Sequence, residues 1–440
     1  MASAKQGPLT GIRVIDHCSH WAGPLACSIL GGLGAEVIKV EAIQRYDGAR
    51  LARICFPGPD GHEWSAAFNG YNHEKLGFTV NLADKRGHEV FMDLVRSSDV
   101  MVESYRPDAA AKLGIAGEQL LEINPKLIYV NLSGFGNVGP WAGRPGYGAT
   151  FSQLSGFSYA YSYAGAAPQS GGGGTTSYSD VFNAAVATYS ILTALRARDV
   201  SGRGQLIEQA QVEVTALMGL PYLMDYSLNG EILQPDGNRR PGPENVYPCQ
   251  PGAEQAAIPA RSTATKSEAV EQLVLDEWIA IDVNSDDDWV ALTKVAGAQS
   301  FASDARYRTL QGRIEHRDQI DQEIAAWTKD QQAPELARQL QAVGVRAGAV
   351  ANQAQAMANE HFHDRGDIKL IERSITGAHL YVGFPFHFEQ PVTGWAKGSP
   401  TLGEDNNVVL GELLGLSEEA IAQLEADEVV GRRPVWHPVT

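Results

Sequence analysis

Cysteine is scarce in this chain. Cys18, Cys27, Cys55 and Cys249 are the whole complement, at no metal-ligand spacing and with no C-x-x-C pair. That argues against a disulfide scaffold and makes a reducing cytoplasm the expected setting. Long apolar runs are missing too. The most apolar helical stretch, residues 181–195, is interrupted by Asn183 and Thr188 and closed by Arg196 and Arg198, too short to span a bilayer. The opening MASAKQGP carries no apolar signal region. Basic residues are outnumbered, 35 Lys and Arg against 52 Asp and Glu, for a net charge of −17. A chain this acidic repels nucleic acid and anionic membrane, so neither is an expected partner. An anionic ligand has to be caught by a local basic cluster or by backbone N–H groups. The stretch 8–41, which reads as a strand–loop–helix–strand unit, lacks a G-x-G-x-x-G, which argues against NAD or FAD there. His361 and His363 have no third ligand nearby, and no metal is expected.

What is present describes a folded protein. At 440 residues, 44% hydrophobic and 20% charged, the chain holds two or three domains around a large core. The most informative stretch is PLTGIRVIDHCSHWAGPLACSILGGLGAEVIKVE, residues 8–41. Branched apolar residues at 12–15 predict a strand, and 16–21 a polar loop. Pro24 fits the first turn of a helix with its body at 25–33, ending at Gly34. A second strand follows at 37–40. Further strands are expected at 78–82, 100–103 and 126–132, with an amphipathic helix at 87–96. This alternation predicts an α/β fold, a doubly wound sheet with ligands at the strand carboxyl ends.

Glycine-rich loops occupy 133–148 and 165–176. The texture changes after residue 225. Residues 235–251 are rich in Pro, Gly and Asn and read as a linker, and 255–273 as an Ala-, Ser- and Thr-rich insertion. A strand at 278–283 precedes helices through 343. The segments 382–388 and 403–414 lead to a closing helix at 417–426, with Ser417 as its N-cap. Phe157, Tyr159, Tyr161 and Tyr163 alternate with small residues, which predicts an extended segment with one aromatic face. Such a face suits contact with a partner subunit better than the wall of an acyl pocket.

Several motifs occur in a telling order: Gly23-Pro24, Gly34-Ala35, 37–41, Asn72 and Lys75, VESYRP at 102–107, NPKLIYVNLSGFGNVGP at 124–140, RPGY at 144–147, Asp180, SGRGQ at 201–205, then 383–388 and 402–404. Together they closely resemble the class III CoA-transferases, which include the formyl-CoA and carnitine CoA-transferases. The resemblance implies a Rossmann-like large domain built from both chain ends, residues 1–225 and 376–440. Residues 226–375 would supply linkers and a smaller α/β domain. It also implies an interlocked dimer, of identical chains or with a related chain. The substrates would be coenzyme A, carried as an acyl-CoA, and an organic acid.

By position Asp180 looks like the family's catalytic aspartate, which takes the acyl group as an anhydride and then CoA as a thioester. The glycines at 171–174 would bring backbone N–H groups to the developing oxyanion. Lys75, Arg106, Lys112 and Arg144 stand at or beside positions resembling the family's CoA contacts, as do Ser104, Tyr105 and Tyr147. The stretch 19–23, including Ser19, His20, Trp21 and Ala22, would line the pantetheine.

On residue type alone Asp180 reads first as a helix N-cap, the commoner role for Asp before a helix. The chain also departs from the family pattern. Ala42 stands where an adenine-contacting Arg is usual, with Arg45 nearby. Ser104 replaces Asn, and Gly148 replaces Asp. Trp21 occupies the position of a Gln in formyl-CoA transferases, which disfavours formate–oxalate exchange. Related α-methylacyl-CoA racemases carry a His at Tyr147, and tyrosine is a poor base near neutrality. A non-catalytic subunit of a heterodimer is a further alternative. His17, His20 and His73 read as polar loop residues.

Overall fold

Short runs of branched apolar residues build a central sheet. β1 (Arg13–His17), β2 (Glu36–Glu41), β3 (Lys75–Thr79), β4 (Val100–Glu103), β5 (Ile128–Asn131) and β6 (Gln205–Glu208) pair in the order β3-β2-β1-β4-β5-β6, every pair parallel. The computed structural model describes residues 6–52, 58, 60–162, 178–233, 242–251 and 277–435. These form two compact units: 6–162 with 178–233 and 363–435, and 242–251 with 277–362.

In the first unit, side chains alternate along each strand between two apolar layers. Ile15, Ile38, Phe78, Met101 and Tyr129 pack with Val90, Phe91 and Leu94 of the Lys85–Arg96 helix. On the other face Val14, Val37, Val100, Val102 and Ile128 meet Ala26, Cys27 and Leu30 of the Ala22–Gly32 helix and Ala184, Ala187 and Ile191 of the Tyr178–Ser201 helix. With both faces covered, β4 and β5 are buried throughout.

β3 starts earlier than expected, because its register against β2 sets Lys75 opposite Val37 and Thr79 opposite Glu41. It is also an edge strand. The C-terminal segment covers that edge: Gly77 N–H donates to Asp405 at 2.7 Å, and Thr79 N–H to Asn406 Oδ1 at 2.9 Å. Val409, Leu410, Leu424, Val429 and Val430 complete the layer under the Lys85–Arg96 helix. Ser417 caps the Glu418–Ala426 helix, accepting from Ala420 N–H.

The second unit has an antiparallel sheet of Glu244–Pro248, Trp278–Asp282 and Arg346–Val350, covered by helices including Asp286–Ala296 and Arg317–Thr328. Its first strand lies inside the stretch read as a linker. Burial of Tyr247, whose hydroxyl donates to Asp321 at 2.6 Å, outweighs the Pro- and Gly-rich composition there.

The aromatic alternation is not extended. Gly156, at φ +82°, turns the chain into the Phe157–Ala160 helix, where the rings of Phe157 and Tyr161 meet at 4.5 Å. Helical spacing puts Phe157 and Tyr161 on one face and Tyr159 on another, and among the described residues no strand pairs with this segment. Tyr163, the glycines at 171–174, Cys55 and the insertion at 255–273 lie outside the described residues. Among those described, no helix is long and apolar enough to cross a membrane.

Candidate active site

β1 and β4 are neighbours in the sheet, with His17 opposite Glu103. Beyond that pair the chain leaves in opposite directions. After β1 it enters the Ala22–Gly32 helix on one face, and after β4 the Pro107–Lys112 helix, whose Ala110 packs on the other. A crevice must open between them at the carboxyl ends of the strands. There the structure has a cavity of about 870 Å³.

The cavity gathers most of the residues singled out from the sequence. Ser19, His20, Trp21 and Ala22 line it from the loop after β1, and Ser104, Tyr105, Arg106 and Lys112 from beyond β4. Arg144, Tyr147 and Asp180 complete the set. Asp180 lies in the first turn of the Tyr178–Ser201 helix, inside the helix rather than before it. Four cations, Arg45, Arg106, Lys112 and Arg144, are exposed on the lining of a strongly acidic protein. Arg106 donates to Gly143 O at 3.2 Å, and Arg144 lies over the Trp141 ring.

Lys75 does not belong to this group. Its ammonium is fully buried and donates to Asp16 Oδ2, Pro24 O and Asn72 Oδ1, each at 2.7 Å. In that position it braces the loop from behind and cannot meet a ligand's phosphate. Lys75 is the first residue of β3, and its side chain turns inward to Asp16.

Asp16 is shared with a second buried lysine. Lys39 Nζ lies 3.8 Å from Asp16, 2.8 Å from Asp47 Oδ2 and 2.5 Å from Cys18 O. Burial pushes the Asp16 carboxyl up, but Lys39 and Lys75 outweigh it and hold it below its ordinary value. Burial likewise opposes ionisation of Asp47, yet Lys39 and the N–H groups of His20 and Ala49 hold it at about 2. These alternating charges run beneath residues 18–24, the loop after β1 and the first turn of the Ala22–Gly32 helix. Such a buried chain persists only because each member is paired and hydrogen-bonded.

His20 bears the strain of this loop. Its φ is +73°, a left-handed conformation that costs a non-glycine residue about 1–2 kcal/mol. Its N–H donates to Asp47 Oδ1 at 2.8 Å, and its ring stands edge-on to Tyr147 at 5.3 Å. Gly48 lies directly behind the ring, where a Cβ would come within 2.6 Å of His20 Cε1. Trp21 stacks on Tyr71 at 4.5 Å.

His17 and Tyr105 meet on the cavity wall, with Nε2 and the hydroxyl 3.1 Å apart. Burial, helped by the charge of Lys39, drops His17 to about 4, so the imidazole is neutral near pH 7. Burial lifts Tyr105 to about 12. Among the described residues no group of His, Cys, Asp or Glu is placed to hold a metal ion.

The sequence profile of CoA-transferase family III matches residues 9–273 and 273–406. The chain belongs to that family. A succinyl-CoA–D-citramalate CoA-transferase of Chloroflexus aurantiacus is 28% identical to this CoA-transferase family member over 433 residues, 96% of this chain and 98% of the relative. The beta subunit of a succinyl-CoA–L-malate CoA-transferase of the same organism is 28% identical, over 96% of this chain and 98% of its own length. A crystal structure of a CAIB/BAIF family protein from Brucella suis superposes with a TM-score of 0.81 at 26% identity, covering 93% of this chain and all of that one. Its fold is therefore the mixed α/β fold of that protein.

Sequence reasoning about this family III chain missed Lys39 and Asp47. A signal was available: a lysine in the middle of the apolar strand VIKVE must find a buried acid, and Asp47 follows shortly after it.

Proposed function

We propose that this protein moves CoA from an acyl-CoA donor such as succinyl-CoA to a carboxylic acid, with Asp180 as nucleophile. One observation carries the reading: Asp180 opens into the same cavity as Arg45, Arg106, Lys112 and Arg144. Those cations suit the phosphates of coenzyme A, and a helix's first turn favours a negatively charged carboxylate.

In this mechanism the Asp180 carboxylate attacks the donor thioester carbonyl. A C–O bond forms, the C–S bond breaks, and CoA leaves as thiolate. The thiolate then attacks the Asp180 carbonyl of the mixed anhydride, releasing the donor acid and leaving CoA on Asp180 as a thioester. The acceptor carboxylate runs the same steps in reverse. Charge is conserved at every step, no oxidant is needed, and Asp180 returns as carboxylate.

The same reading makes the first unit a Rossmann-like CoA-binding domain and the protein an interlocked homodimer. In support, the Leu220–Asn229 helix has no buried residue, and Leu223, Met224, Tyr226 and Leu228 are all exposed. An apolar helix so bare suits a second copy of the chain. The alpha and beta subunits among its relatives make a related second chain the other candidate.

The test is incubation in deuterated water with succinyl-CoA, a panel of carboxylic acids and a 2-methylacyl-CoA, followed by mass spectrometry of the thioesters. A new, undeuterated acyl-CoA that disappears in Asp180→Ala supports the transferase and names its acceptor. Deuterium entering the 2-methylacyl-CoA with no new thioester would replace the reading with a racemase.

A further inference from the structure

Asp47 lines the cavity, yet its carboxylate is buried and held by partners within the protein. Oδ1 accepts from Ser19 Oγ, His20 N–H and Ala49 N–H, each at 2.8 Å. Oδ2 faces Lys39 at 2.8 Å, and that lysine also holds Cys18 O. Ser19 is fixed a second time, its N–H donating to Ser104 Oγ at 3.2 Å.

The consequence falls on His20. A left-handed histidine is not a low-energy state, and something must outweigh the strain. The His20 N–H to Asp47 does so from the front, and Gly48, having no Cβ, leaves room for the ring from behind. In the relaxed alternative the ring would leave Tyr147 and the following Trp21 would shift with it. Strain held by an over-determined set of partners beside a cavity is the usual sign of a preorganised binding wall.

We infer that Asp47 is a positioning residue for ligand binding: its Oδ1 acceptor fixes the Ser19–His20 turn, so that the His20 ring and the opening of the Ala22–Gly32 helix face the CoA ester. The inference rests on the function proposed above. It distinguishes two duties of one carboxylate. The oxygen as acceptor shapes the wall, whereas the charge balances Lys39 and supports the fold.

Three variants separate these duties, with free CoA as the probe in calorimetry and the thermal midpoint recorded for each. Asp47→Ala removes acceptor and charge together. Asp47→Asn keeps an oxygen for the donors to Oδ1 and loses the charge and the acceptor that face Lys39. Gly48→Ala leaves every charge in place and presses a methyl into the His20 ring. Both Asp47 variants should lose similar amounts of thermal midpoint, because Lys39 loses its nearest carboxylate in each.

Affinity for CoA should behave differently. Asp47→Ala should weaken it by about tenfold or more, the scale of a misplaced binding group. Asp47→Asn should stay within about threefold of the parent, since its hydrogen bonds persist. Gly48→Ala should weaken binding severalfold at an unchanged midpoint, which keeps the test open should Asp47→Ala not fold. CoA binding by the parent together with equal affinity in all variants overturns the role of Asp47 alone. Equal loss in both Asp47 variants, with none in Gly48→Ala, assigns Asp47 to stability only and also overturns it. A parent chain that binds no CoA overturns the functional reading, and this role with it.

Discussion

Lys75 and Asp16 form an ion pair at 2.7 Å in which neither side chain has any exposed surface. They sit 59 residues apart on β3 and β1, strands separated by β2, so the pair ties the sheet to the loop that enters the cavity. A buried pair of this kind is costly to break, because the survivor keeps its desolvation penalty.

Replacing Lys75 with Met should therefore lower stability by roughly 3–5 kcal/mol, the range for breaking a buried pair. Urea unfolding at fixed protein concentration measures it. A loss below about 1 kcal/mol would show that Lys39, 3.8 Å from Asp16, suffices as partner.

Two buried histidines set an acid limit. His17 and His73 are both held at about 4, largely by burial, against an ordinary value of 6.5. Unfolded, each binds a proton below its ordinary value; folded, neither does until pH approaches 4. The unfolded state thus holds more protons through that window, and stability falls as pH drops across it. Glu103, lifted by burial, acts in the opposite sense above the ordinary carboxylate range. The carboxylates of Asp16 and Asp47, both held low, add their loss only below pH 4. Thermal midpoints should decline steadily from pH 6.5 to 4.5, and a flat profile there would refute the argument.

The exposed cations give a kinetic prediction. Alanine at Arg45, Arg106 or Arg144 should raise KM for the CoA ester by roughly two- to fivefold each, as expected for exposed ion pairs of about 0.5–1 kcal/mol, with little change in kcat. The triple variant should also lose most of the salt dependence of KM. The family resemblance implies an adenine-contacting Arg at the position of Ala42, and with Arg45 as its substitute Arg45→Ala should show the largest effect. An Arg45→Ala enzyme with the KM of its parent would remove that residue from the proposed site.

Much of the large unit is legible in the sequence. Branched runs at 12–15, 37–40 and 100–103 read as buried strands, and their alternation with helices argued for a doubly wound sheet. The parallel order then puts a crevice where β1 and β4 diverge, and the motifs after those strands, at Ser19–Ala22 and Ser104–Arg106, line it.

Local pattern failed where distant partners decide. The aromatics from Phe157 alternate as a strand would, but an extended backbone needs a neighbour to accept its hydrogen bonds, and the chain turned helical after Gly156 instead. The segment read as a linker became a strand because Trp278–Asp282 lies beside Glu244–Pro248.

By itself, then, the sequence determined the strand and helix alternation of the large unit and its family, since periodicity and motif order are properties of neighbouring residues. Only the tertiary structure decided that Lys75 is buried against Asp16 rather than turned to the cavity, and that Asp47, paired with Lys39, accepts the His20 N–H. Both are matters of burial and pairing between residues far apart in the chain, which no local pattern encodes.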